Sequence, residues 1–112
     1  MLASNLDKKK FENICIIDTN AKIGSKIKVS GGAKCNITNE LVTASNYLGD
    51  REFVAELLEK FSKNELLAFL NKNGVFPKIN PKIVKGTYFC NSSQDVIDMF
   101  TKLTTHVKKY LN

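Results

Sequence analysis

Between Gly24 and Asn39 the chain reads G-S-K-I-K-V-S-G-G-A-K-C-N-I-T-N. Adjacent glycines let backbone N–H groups come close to an anion, because no Cβ stands in the way. Ser30, Asn36, Thr38 and Asn39 add hydroxyl and amide hydrogen bonds, and Lys26 and Lys34 add positive charge. Together these groups can cradle a diphosphate. Composition alone is not decisive, since Ser-Gly-Gly is also an ordinary turn. The order of the residues has to carry the argument.

Other candidates are fewer. Asp18 ends the apolar run Ile14-Cys15-Ile16-Ile17, where a carboxylate can take hydrogen bonds from a sugar or simply terminate a strand. Cys35 has no second cysteine close in sequence and reads as a small residue packing a tight loop. His106, the single histidine, stands among Thr104, Thr105 and Lys108 without partners for a metal site or a triad, which makes it a surface residue. Asp50, Glu52, Glu56 and Glu59 form the solvated side of a helix, and Phe76, Tyr88 and Phe89 are expected in the core. No residue presents itself as a catalytic acid, base or nucleophile.

The elements around these residues follow from periodicity and punctuation. Residues 2–10 resemble the last turns of a helix. The run Ile14–Ile17 reads as a parallel strand buried on both faces, so that helix tail, strand and acidic residue make the second half of a βαβ unit. Residues 19–49 are loop-rich, with Ile27-Lys28-Val29 the one strand-like piece. Asp50 caps a helix with Phe53, Val54, Leu57, Leu58 and Phe61 on one side. Ser62 and Glu65 form a capping box for a second helix carrying Leu66, Leu67, Phe69 and Leu70, which Gly74 ends. Pro77 and Pro81 impose extended or turn structure around Ile83-Val84 and Thr87-Tyr88-Phe89-Cys90. Ser92 and Asp95 repeat the capping pattern ahead of a final helix lined by Val96, Phe100, Leu103, Val107 and Leu111.

With 112 residues, 43% hydrophobic and 25% charged, the chain has room for one small ordered domain. Lysine and arginine number 17 against 11 acidic residues, a formal charge of +6 that suits a polyanion or a phosphorylated ligand. The lysines are dispersed along the sequence without forming a stripe, which weighs against a nucleic-acid-binding module. Three widely spaced cysteines argue against a disulfide framework or zinc site and fit a reducing cytoplasm. No apolar run approaches the roughly 18 residues of a membrane span, and no signal-peptide pattern opens the chain. A soluble cytoplasmic protein is expected.

Taken in order, Gly24, Lys26, Ser30, Gly31, Gly32, Lys34, Cys35, Asn36, Thr38 and Asn39 match the pattern G-x-K-x-x-x-S-G-G-G-[RK]-C-N-x-T-N. This resembles the signature of bacterial NAD(P)/FAD-dependent oxidoreductases related to BaiN and to the aminoacetone-oxidase-like flavoproteins. Ala33 departs from the third glycine. Its methyl group obstructs close approach to a flavin unless its φ is negative. Tyr47-Leu48, Gly74-Val75 and the segment Thr87–Ser93 extend the similarity over nearly the whole chain.

The resemblance implies an α/β fold: a partial Rossmann-like FAD-binding domain, with a strand and glycine-rich cofactor loop over 1–49 and a mainly helical segment of three helices over 50–112. It implies FAD as cofactor, with Asp18 on the adenosine ribose and the Lys26–Asn39 loop along the diphosphate and flavin. A first strand and a G-x-G-x-x-G turn, which the family places ahead of this region, do not occur in these residues. The chain therefore reads as a fragment of an oxidoreductase, inactive alone and weak or silent in FAD binding, with a complementary polypeptide as partner. A small basic nucleic-acid-binding module and a helical interaction piece are the alternatives.

Overall fold

A computed structural model describes residues 1–82 and 85–112, and the expected extended pair Ile83-Val84 lies outside the described residues. The described residues group into two compact units, one of residues 1–35 with 92–112 and one of residues 36–91.

In the first unit, strand β1 (Cys15–Asp18) runs parallel to strand β5 (Lys108–Leu111), Cys15 opposite Lys108 and Asp18 opposite Leu111. Short helix α1 (Leu2–Asn5) precedes β1, in keeping with the helix tail expected there, although residues 7–10 form turns. Side chains alternate across a strand, so Cys15, Ile17, Lys108 and Tyr110 share one face. That face is open, with Ile17 79% exposed. The expected parallel strand is present, but it is not buried on both faces, because a two-stranded sheet covers only one.

Helix α2 (Ser25–Val29) occupies the segment expected to be strand-like. The β-branched Ile27 and Val29 suggested a strand, yet the turn at Gly24 (φ +83°) and packing on helix α5 (Ser93–Leu103) outweigh that preference. Ser93 ties the two together, its N–H donating to Ala33 O at 2.8 Å and its hydroxyl to Lys28 O at 3.2 Å. A Cβ at Gly24 would lie 2.8 Å from Ile97 Cγ1, so only glycine permits this approach. Val96, Met99, Thr104 and Val107 form the buried side of this end of the chain.

The final helix is shorter than its periodicity suggests. Thr104 Oγ1 donates to Phe100 O at 2.7 Å, the helix stops at Leu103, and residues 108–111 become a strand. Leu103, Val107 and Leu111 are spaced four apart, which reads as helix, but Val107 is buried in the turn that feeds β5. Ser92 caps through Gln94 N–H rather than Asp95 N–H, so its capping box is not formed.

In the second unit, strands β2 (Asn36–Asn39), β4 (Thr87–Phe89) and β3 (Lys78–Ile79) make an antiparallel sheet in the order β2-β4-β3. Strand β2 falls in the segment read as loop; a register irregularity between Asn36 and Thr38 hides its alternation. Helices α3 (Arg51–Lys60) and α4 (Lys63–Lys72) begin where their caps predict. Asp50 accepts from Phe53 N–H, and Ser62 and Glu65 complete a reciprocal capping box. Gly74 follows α4 with φ +84°. Leu70 is 2% exposed and, with Val75, Phe89 and Cys90, forms the core here. Burying one such leucine is worth about 2 kcal/mol. The α3 face expected to be buried is largely open: Phe53, Leu57 and Phe61 are exposed, as is Phe76, whereas Phe89 is buried as expected.

Candidate functional site

Asp18 is the last residue of β1, at the C-terminal end of a parallel pair, where the strand direction carries it out to a loop. Asn20 folds back on it, its backbone N–H at 2.9 Å and its side-chain amide at 2.7 Å from Asp18 Oδ1. The backbone N–H of Asn20 first, then its side chain, hold the Asp18 carboxyl below the usual carboxylate range; slight burial opposes this and the charge of Lys26 adds to it. Asp18 is therefore anionic at neutral pH. Both bonds fall on Oδ1, leaving Oδ2 to meet an outside donor. Asp18, Asn20, Gly24, Ser25, Lys26 and Ile27 line an open cleft of about 400 Å³.

The glycine loop leaves α2 at Ser30 and turns left-handed. Gly31, Gly32 and Ala33 have φ of +57°, +62° and +67°, and Cys35 has +55°. Two backbone bonds close the turn, Lys34 N–H to Gly31 O at 3.2 Å and Cys35 N–H to Ser30 O at 3.0 Å. Among the described residues, none accepts the N–H groups of Gly31, Gly32 or Ala33. The first donors of any helical turn, of either hand, lack internal acceptors and suit an anion. No heavy atom lies within 4 Å of a Cβ built on Gly32, so space is open beside it. Ala33 keeps the positive φ that a third glycine would take freely, which means the expected negative-φ escape does not apply.

Lys26 and Lys34 are exposed, and Ser30 is half-buried. Cys35 is 6% exposed, and burial pushes its thiol pKa up, which disfavours the thiolate and fits a packing role. Asn36, Thr38 and Asn39 belong to the second unit, where they line a cleft of about 590 Å³ with Leu41, Val42, Asn46, Tyr47 and Thr87. Asn39 is already engaged: Nδ2 donates to Lys85 O and Thr87 Oγ1, both at 3.1 Å, and Oδ1 accepts from Leu41 N–H at 3.0 Å. It fixes the end of β2 against the turn at Gly86 (φ +73°), whose carbonyl accepts Glu40 N–H at 2.8 Å. One participant escaped the sequence reading: Asn20, which bonds Asp18 and lowers its pKa, although an Asp-x-Asn turn signal marked it. Tyr47, singled out with Leu48 in the resemblance, borders the second cleft.

The end of a parallel strand, an anionic carboxylate and a left-handed glycine turn with three free N–H donors stand in one unit, and such N–H groups can hold an anion. The model of the HI0933-like protein Rossmann domain matches residues 1–111. The chain belongs to this family. The HI0933-like family is one of FAD-dependent oxidoreductases, and the mixed strands and helices described above are part of its α/β, Rossmann-like architecture. The chain is 33% identical over 101 residues to the ribosomal RNA dihydrouridine synthase of Escherichia coli, covering 88% of this chain and 24% of that protein. It is 39% identical over 66 residues to the 3-dehydro-bile acid delta(4,6)-reductase of Clostridium scindens, covering 58% of this chain and 16% of that protein. The ribosomal RNA dihydrouridine synthase of Haemophilus influenzae is 32% identical over 68 residues, 60% of this chain and 17% of that protein. The chain thus spans a quarter or less of the length of these relatives. Among the described residues no helix is long and apolar enough to cross a membrane, and no group of three metal-ligating side chains gathers.

Proposed function

We propose that this HI0933-like chain forms the ribose and phosphate side of an FAD site in an FAD-dependent oxidoreductase. The observation that carries the reading is the left-handed turn at Gly31–Ala33 with its free N–H groups, in the same unit as the anionic Asp18 at the end of a parallel strand. Bound FAD supplies the hydride chemistry, and the protein's work is to bind and orient it. Asp18 accepts hydrogen bonds from the vicinal hydroxyls of the adenosine ribose, with Asn20 holding Oδ1. Gly31, Gly32 and Ala33 donate to diphosphate oxygens, and Ser30, Lys26 and Lys34 add hydrogen-bonding and charge. Cys35 packs beneath the turn and holds its shape. The resemblance adds Asn36, Thr38 and Asn39 to the cofactor motif, and Asn39 also fixes the end of β2.

The site is shared with further polypeptide. No G-x-G-x-x-G occurs in these 112 residues, and the open face of the β1–β5 sheet, with Ile17 and Tyr110, is of the kind that parallel sheets cover. A complementary segment that supplies the phosphate turn and covers this face completes the domain. Binding of FAD by these residues alone is accordingly weak. The titration that tests this reads flavin fluorescence in the full 112-residue chain and in Asp18→Ala. Saturable, weak binding is expected, with affinity falling about tenfold to a hundredfold in Asp18→Ala, the worth of hydrogen bonds to a charged group. Equal affinity in both proteins would remove Asp18 from the site.

A further inference from the structure

Helix α3 carries two apolar faces, and the second unit covers only one of them. Val54 and Leu58, one turn apart, are half-buried and mark the side turned toward the unit. Phe53, Leu57 and Phe61 recur at the four-residue spacing that sets side chains above one another on a helix. They stay 59%, 49% and 44% exposed. Phe61 lies just beyond the last helical residue, yet its N–H donates to Leu57 O at 2.9 Å, so it continues the stripe by a turn. Leu48, two residues before the cap Asp50, is fully exposed at the opposite end of the helix. The half-buried side bounds the stripe along one edge. Along the other edge, at about 100° per residue, stand Glu56 and Lys60, both exposed and one turn apart. Glu52 and Glu59 fall farther round, on the solvated side.

The order of charges on that edge says what covers the stripe. A partner chosen by charge of one sign calls for an edge of the other sign, whereas this edge carries one carboxylate and one ammonium group. Such an edge is complementary to itself inverted. When a second α3 lies antiparallel across a two-fold axis near Leu57, residue i of one copy meets residue j of the other, and j meets i. Like edges then face each other, as the flanking charges of antiparallel helix pairs do. Glu56 of each copy comes opposite Lys60 of the other, Phe53 meets Phe61 of the other, and Leu57 meets its own counterpart. We propose that the exposed stripe of α3 is a self-association surface, on which a second copy of this chain packs its own α3 antiparallel with two Glu56–Lys60 pairs across the interface. One helix pair covers less than the roughly 1,200–2,000 Å² of a stable protein interface, so the dimer is weak and reversible. The surface shares no residue with Asp18 or the glycine turn, so association and FAD binding succeed or fail separately.

The test is sedimentation equilibrium of the full 112-residue chain, without flavin, from about 10 µM to about 1 mM, the range of weak association. A reversible monomer–dimer equilibrium is expected. Leu57→Glu, a change at an exposed position, is expected to weaken it at least about tenfold. E56K and K60E are each expected to weaken it about tenfold, because each turns two attractions across the interface into two repulsions. Their equimolar mixture is the deciding sample. E56K makes the edge wholly basic and K60E makes it wholly acidic, so the mixed dimer is expected to form with nearly the parent's affinity. Neither variant can form a Glu56–Lys60 attraction within its own helix, so a loss caused by a weakened helix would persist on mixing. Ile17→Glu, on the open face of the β1–β5 sheet, is expected to leave the equilibrium unchanged. A chain that stays monomeric up to about 1 mM would overturn the proposal. So would a dimer that Ile17→Glu disrupts and Leu57→Glu does not, or a mixture that associates no better than either variant alone.

Discussion

Ala33 holds φ at +67° in a turn whose two preceding residues are glycines with the same handedness. An L side chain pays about 1–2 kcal/mol for that conformation, so Ala33→Gly is expected to stabilise the chain by about 1 kcal/mol, less the extra freedom of the unfolded state, as read by thermal or urea unfolding. The cysteines make a second residue-scale prediction. Cys15 is exposed, whereas Cys35 and Cys90 are buried and burial raises the Cys35 thiol, so iodoacetamide in native conditions should modify Cys15 far faster than the other two. Comparable modification of Cys35 would mean that the glycine turn opens readily. Asp18 fixes a pH dependence. Its folded pKa is depressed, so its contribution to stability is present above the unfolded carboxylate value and is lost as pH falls through the folded one. FAD affinity should therefore be flat near neutrality and decline only below the ordinary carboxylate range, as a titration at several pH values would show.

The contact between α2 and α5 depends on one residue without a side chain. A Cβ on Gly24 meets Ile97 at 2.8 Å while φ is +83°, so Gly24→Ala should destabilise the chain by about 2–4 kcal/mol, from steric overlap and backbone strain together. Because α2 leads directly into Ser30 and the glycine turn, the same variant should weaken FAD binding, and urea unfolding alongside the flavin titration checks both. Elements whose signals are local were legible in the sequence. The caps at Asp50 and Ser62 and the stop at Gly74 each involve neighbours within a few residues, and each stands where expected. Elements decided by distant partners were not. Ile27-Lys28-Val29 is helical because α5 packs on it, and residues 108–111 form a strand because β1 lies beside them. Strand β2 is interrupted by an irregularity that its partner β4 tolerates, which no reading of Asn36–Asn39 alone would show.

At the scale of the whole molecule, the glycine motif was the legible part of the candidate site, since ten of its positions match one ordered pattern and the family model matches residues 1–111. Its geometry was not legible. That Asn39 would be engaged by Lys85, Thr87 and Leu41, and that Ala33 would remain left-handed, depend on pairing and packing across distances in sequence that no motif encodes. Apolar side chains at Ile17, Leu48, Phe53 and Phe76 remain exposed. The most direct test of the FAD reading is a ¹⁵N–¹H correlation spectrum of the labelled 112-residue chain during titration with FAD. The predicted result is saturable shifts led by the amides of Gly31, Gly32 and Ala33, with Asn20 beside Asp18 following. Shifts that bypass these amides, or none at FAD concentrations of about 1 mM, the weak end of the ordinary binding range, would contradict it.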